Sequence, residues 1–153
     1  MGAVVEDDRP TLTPLWVFWD AQRPNRWLAL APVLAAVLFA ISMRLAWHHH
    51  VIPAAGYTVI YGIQGASWLL VAAGLAAGFA LRFFIQFPGG YSRALLSLLA
   101  LLITIGVYAD YIDAQTRAAQ LYVAAYVGPG FYVAVAGTAL IILSAVLVWK
   151  VRD

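Results

Sequence analysis

Apolar positions fall into four long blocks separated by short segments that hold nearly all of the charge. The first block, 28–47, is free of charge until Arg44 and carries Trp27 and Trp47 at its ends, as interfacial aromatics do. At 1.5 Å per residue it predicts a helix of roughly 30 Å, the thickness of a bilayer's hydrocarbon core. Pro32 lies in the first turns, where a missing N–H costs least. The second block, 59–81, follows the turn formers Pro53 and Gly56 and stops before Arg82 and Pro88-Gly89-Gly90. The third, 94–112, ends on Asp110, Tyr111 and Ile112. The fourth, 131–149, opens after Gly128-Pro129-Gly130 and closes on Lys150.

Two further segments look structured outside these spans. Thr13-Pro14 followed by Leu15-Trp16-Val17-Phe18-Trp19 predicts a short aromatic helix lying flat at the membrane interface. Ala118, Leu121, Tyr122 and Ala125 recur at helical spacing and predict either an extension of the third helix or a separate amphipathic helix.

Composition agrees with the pattern. Apolar residues make up 64% of the chain and charged residues 10%, against roughly a quarter charged in a soluble domain. Lys and Arg distribute unevenly: Arg9, Arg23, Arg26, Arg82, Arg93, Lys150 and Arg152 fall on one side of the spans, and Arg44 and Arg117 on the other. The positive-inside rule makes the first side cytoplasmic. The expected fold is therefore an all-α integral membrane four-helix bundle, up-and-down, with both termini cytoplasmic. Its domains are a cytoplasmic segment 1–27 containing the interfacial aromatic helix, a transmembrane domain 28–149, and a cytoplasmic tail 150–153. The acidic start, Glu6-Asp7-Asp8, does not match a secretory signal, so the first span is expected to act as a retained anchor in a bacterial plasma membrane.

Chemistry is sparse. With no cysteine, disulfides, thiolate metal sites and thiol nucleophiles are excluded together. The net charge of +2 comes without a basic stripe interleaved with aromatics, so nucleic acid is not expected as a partner. No phosphate-binding lysine loop, dinucleotide glycine motif or haem-attachment motif occurs. The cores of the spans hold no Asp, Glu, Lys, Arg or His, the residues that pumps and proton-coupled carriers place there. Their deepest polar groups are Gln64, Ser67, Thr104, Thr138 and Ser144, expected to satisfy helix hydrogen bonds.

The sharpest candidate cluster is external. His48, His49 and His50 follow the first span, while Asp110 and Asp113, an i, i+3 pair, end the third. Imidazole with carboxylate is a ligand set for zinc or another divalent cation, which makes His48, His50, Asp110 and Asp113 the candidate metal residues. Histidine also titrates near neutral pH and serves as an axial haem ligand, although haem bundles bury that histidine among apolar side chains. Gly62, Gly65, Gly74 and Gly78 give the second span a face without bulk, expected to pack against another helix of the same bundle, with a dimer interface as the alternative.

These readings point to a noncatalytic accessory or scaffold subunit of a larger membrane complex, such as a respiratory or photosynthetic one, with lipid and other membrane subunits or copies of itself as partners. The alternative is a small transporter or ligand-binding membrane protein that uses the neutral polar groups and the outer His and Asp cluster. The sequence names no cofactor.

Overall fold

The computed structural model describes residues 23–52, 56–85, 89–120 and 124–150. The aromatic segment around Trp16 lies outside them. The chain is mostly helical, with four long helices. A tight 3-10 segment, Arg23–Ala29, leads into α1, Leu30–Ser42. Then come strands β1, Ala46–Ile52, and β2, Gly56–Tyr61, a single helical turn Gly62–Gly65, and α2, Leu69–Ile85. Helix α3, Gly90–Gln120, is followed by β3, Ala124–Val127, and α4, Pro129–Lys150. The proline at the first position of α4 sits where a helix has no use for an N–H.

The three strands correct the all-α expectation. They form one antiparallel sheet in the order β2-β1-β3, built from the chain's two longer connections. The spans expected over 28–47 and 59–81 each overran into it. Tyr57-Thr58-Val59-Ile60-Tyr61 is a run of β-branched and aromatic side chains, and an unbroken apolar run carries no period that separates strand from helix. Helix α2 consequently begins at Leu69, ten residues after the start expected for that span.

Helices α3 and α4 are long and apolar enough to cross a membrane. At 31 residues α3 measures about 46 Å, longer than a hydrocarbon core is thick, and Asp110, Asp113 and Arg117 fall in its last third. The helical periodicity after 112 therefore belongs to an extension of the third helix as far as Gln120, after which the chain turns to strand at Ala124. Helix α2 has 17 residues, the lower limit for a crossing, and α1 reaches the same length with the last turn of the 3-10 segment.

The helices pack side by side in the order α2, α1, α4, α3. Close approach depends on small residues: Ala35, Ala72, Ala76, Ala80, Ala100, Ala134 and Ala145 are all buried. Phe39 is 0% exposed and lies against Gly137, where an added Cβ would come within 2.7 Å of its ring. Large side chains point the other way, with Val71 65% and Leu101 56% exposed. Thr104 and Thr138 donate to the carbonyls of Ala100 and Ala134 one turn back, as expected of hydroxyls inside an apolar helix.

Helices α2 and α3 touch chiefly at their ends. Arg82 Nε donates to Ser92 Oγ at one end and Trp68 Nε1 to Asp110 Oδ2 at the other. Between these contacts lies an open groove lined by Gly74, Leu75, Gly78 and Phe79. Of the glycines expected to pack helices, Gly62 does so tightly, against Trp47, Met43 and the Ser42 carbonyl, and Gly65 makes an ordinary contact with Ile60. Gly74 and Gly78 do not: a Cβ on either meets nothing within 4 Å, so within the chain that expectation is corrected. The close approaches are made instead at Gly106, Gly128, Gly130 and Gly137. Gly74→Ala and Gly78→Ala are therefore expected to stabilise the isolated chain by about 0.5–1 kcal/mol each through helix propensity. Chemical denaturation in detergent measures this, and a loss of stability in either variant would show that the face is covered.

Candidate functional site

The sheet caps one end of the helices, where α1 and α3 end and α2 and α4 begin. Its central strand is anchored there by backbone hydrogen bonds from Gly128 N–H to the Trp47 carbonyl at 2.6 Å and from Gly62 N–H to the Leu45 carbonyl at 3.2 Å. The pairing of β1 with β2 shifts between Ala46 and His48, leaving Trp47 as the extra residue of a β-bulge. A bulge breaks strict alternation, so the consecutive side chains of Trp47 and His48 are both buried. Alternation then resumes. His50 shares the face of His48, and His49 falls on the other.

His48 and His50 are 5% and 8% exposed. Ile60, the cross-strand partner of His48, shares their face. Opposite them stands one stripe of α3, in which Asp110, Asp113, Ala114 and Arg117 recur at the i, i+3, i+4, i+7 spacing of a single helix face. With Gln64 from the helical turn, these groups line a half-polar cavity of about 340 Å³. The four residues picked out by sequence, His48, His50, Asp110 and Asp113, therefore share one cavity. Among the described residues, however, no three His, Asp or Glu side chains are grouped so as to hold a metal ion.

The charges are partly accounted for. Asp113 pairs with Arg117 at 2.8 Å, and both side chains are largely exposed, so the pair adds little stability. Asp110 accepts from the Trp68 indole at 2.8 Å. The Trp47 indole N–H is engaged by the Ser42 carbonyl at 3.0 Å, which leaves its ring as an apolar wall. Both nitrogens of His48 and Nε2 of His50 are buried without a hydrogen-bond partner. A buried polar atom left so costs on the order of 1–3 kcal/mol.

Burial, and then the neighbouring His50 and His49, hold the His48 imidazole below its ordinary value. It is therefore neutral at pH 7. Because the folded value is depressed, its contribution to stability is whole above the ordinary imidazole value of about 6.5 and drains as pH falls from there through the folded value. Thermal unfolding in detergent between about pH 7 and about pH 5 is expected to show a falling midpoint, with a shallower fall in His48→Phe. An equally steep fall in that variant would assign the effect to other groups.

Gln64, expected deep in the second span, instead lies on the helical turn beside the cavity, and Trp47, Trp68 and Arg117 were not singled out by sequence as site residues. For Trp68 a signal existed, since a tryptophan inside an apolar helix needs an acceptor for its N–H and Asp110 is the carboxylate ending the third span.

What the fold and site define is a mostly helical protein with two helices long and apolar enough to cross a membrane and a polar cavity beneath a small sheet. The chain matches no known protein family, and neither a curated protein nor a solved structure is similar to it.

Proposed function

We propose that this is a multi-pass membrane protein of four crossing helices that binds a small polar ligand in the cavity at its outer end. The observation carrying the ligand-binding reading is the meeting of two buried imidazoles, with three unpartnered nitrogens between them, with Asp110 and Asp113, in a cavity walled by the sheet, a helical turn and α3. Cavities of a few hundred Å³ with convergent polar groups are the usual form of small-molecule sites. Four crossings are supported by the apolar outer faces of all four helices and by the grouping of Arg26, Arg82, Arg93 and Lys150 at the end opposite the sheet. That basic end is cytoplasmic under the positive-inside rule, in a bacterial plasma membrane, and both ends of the described chain, Arg23 and Lys150, lie there.

Absence of cysteine makes topology simple to test. Thr58→Cys is expected to react with a membrane-impermeant maleimide on intact cells, and Tyr91→Cys only after permeabilisation. The reverse pattern would overturn the orientation, and labelling of both on intact cells the four crossings.

The groove between α2 and α3 favours a second reading, an accessory or scaffold subunit of a larger membrane complex. Its glycine floor leaves room for a helix from another chain. Extraction in mild detergent separates the two: stoichiometric foreign subunits favour the accessory role, and a ligand-binding chain free of them the first reading.

A further inference from the structure

We infer that the outer cavity takes a small organic cation of the primary ammonium class, with Asp110 as its counter-charge and His48 and His50 as hydrogen-bond partners. The inference rests on the ligand-binding reading and names the ligand's chemistry.

The charge balance comes first. Two carboxylates and one guanidinium line the cavity, and the guanidinium of Arg117 is taken by Asp113 at 2.8 Å. Asp110 receives only the neutral Trp68 indole, so among the described residues it has no cation against it. Counting its carboxylates against its guanidinium, the cavity is one positive charge short. An anion would meet Asp110 and Asp113 with Arg117 alone in its favour.

The hydrogen-bond inventory points the same way. The neutral His48 imidazole has one acceptor nitrogen, and neither of its nitrogens is engaged. An ammonium group carries three donors and no acceptor, so it can bond a carboxylate and an imidazole together. The apolar walls, Trp47 and Ile60, suit the carbon body of such a ligand, and an indole ring also attracts a cation. A bare metal ion fits less well: the side chains are not grouped as ligands, and about 340 Å³ exceeds what one ion fills.

The test uses the full chain in detergent with 15N-labelled histidine, titrated separately with propylammonium, 1-propanol, propionate and zinc. Propylammonium is expected to shift the His48 and His50 ring resonances saturably, while 1-propanol and propionate leave them unmoved. Asp110→Asn keeps a carbonyl acceptor for Trp68 and is expected to weaken propylammonium binding about tenfold or more. The preference of the unaltered chain for the ammonium over the alcohol provides a readout independent of that variant's folding. Saturable shifts with propionate or zinc but not propylammonium would overturn the inference and leave the cavity a binding site. Silence with all four probes would overturn the inference and the ligand-binding reading together.

Discussion

Replacing Gly137 with alanine is expected to destabilise the chain by about 2–3 kcal/mol, because α1 and α4 have no slack at that point. The new methyl would stand 2.7 Å from one carbon of the Phe39 ring and 2.9 Å from another. That ring is 0% exposed and has nowhere to swing, so the helices themselves must part. Phe39→Leu removes the opposing ring edge, and the Gly137→Ala, Phe39→Leu double variant is expected to be more stable than the sum of the single effects predicts. Denaturant titration of the four proteins in one detergent supplies the cycle. Strict additivity would show that the two residues do not press on one another. Gly130→Ala serves as a companion, since its methyl would meet Trp47 at 2.6 Å and the Ser42 carbonyl at 2.9 Å.

The second large effect is expected at Trp68. Its indole covers Gly106 of α3 and donates to Asp110, tying α2 to α3 at the end next to the cavity. Trp68→Ala removes both packing and hydrogen bond, for a loss of about 3 kcal/mol, the low end for so large a side chain because this one is only partly buried. Trp68→Phe keeps most of the packing and takes away the N–H. Since that donor serves a carboxylate, about 1.5–3 kcal/mol is expected to be lost. A Trp68→Phe variant as stable as the parent would show that Asp110 finds another donor.

The two contacts bear on how much could be read beforehand. The third and fourth apolar blocks emerged as helices that contain the expected spans, because each opens on residues that punctuate structure unambiguously: Gly89-Gly90 at the start of α3 and Pro129 at the start of α4. The first two blocks were misjudged where they meet the sheet, since Val59, Ile60 and Tyr61 serve a strand as well as they serve a lipid-facing helix. His48, His50, Asp110 and Asp113 could be placed at one end from the order of the blocks alone. Their convergence could not, because it depends on the Trp47 bulge and on pairing between β1 and β3, which are far apart in the chain. The G-x-x-x-G spacing of Gly74 and Gly78 was plain in the sequence. What it faces was not, because spacing specifies a bare stripe and not the neighbour that fills it.

The strand order β2-β1-β3 also dictates a sequence of assembly. Strands β1 and β2 are neighbours along the chain and can pair as soon as both have been made. The other edge of β1 must wait for β3, which is synthesised only after α2 and α3. On the proposed topology β3 reaches that edge only if both intervening helices have been threaded through the bilayer in the correct direction. Late, long-range pairing of this kind is slow and leaves an open strand edge in the interval. On that topology the finished sheet would be a record of correct insertion: a chain with one of those helices left uncrossed would strand β3 on the wrong side and leave that edge of β1 unpaired.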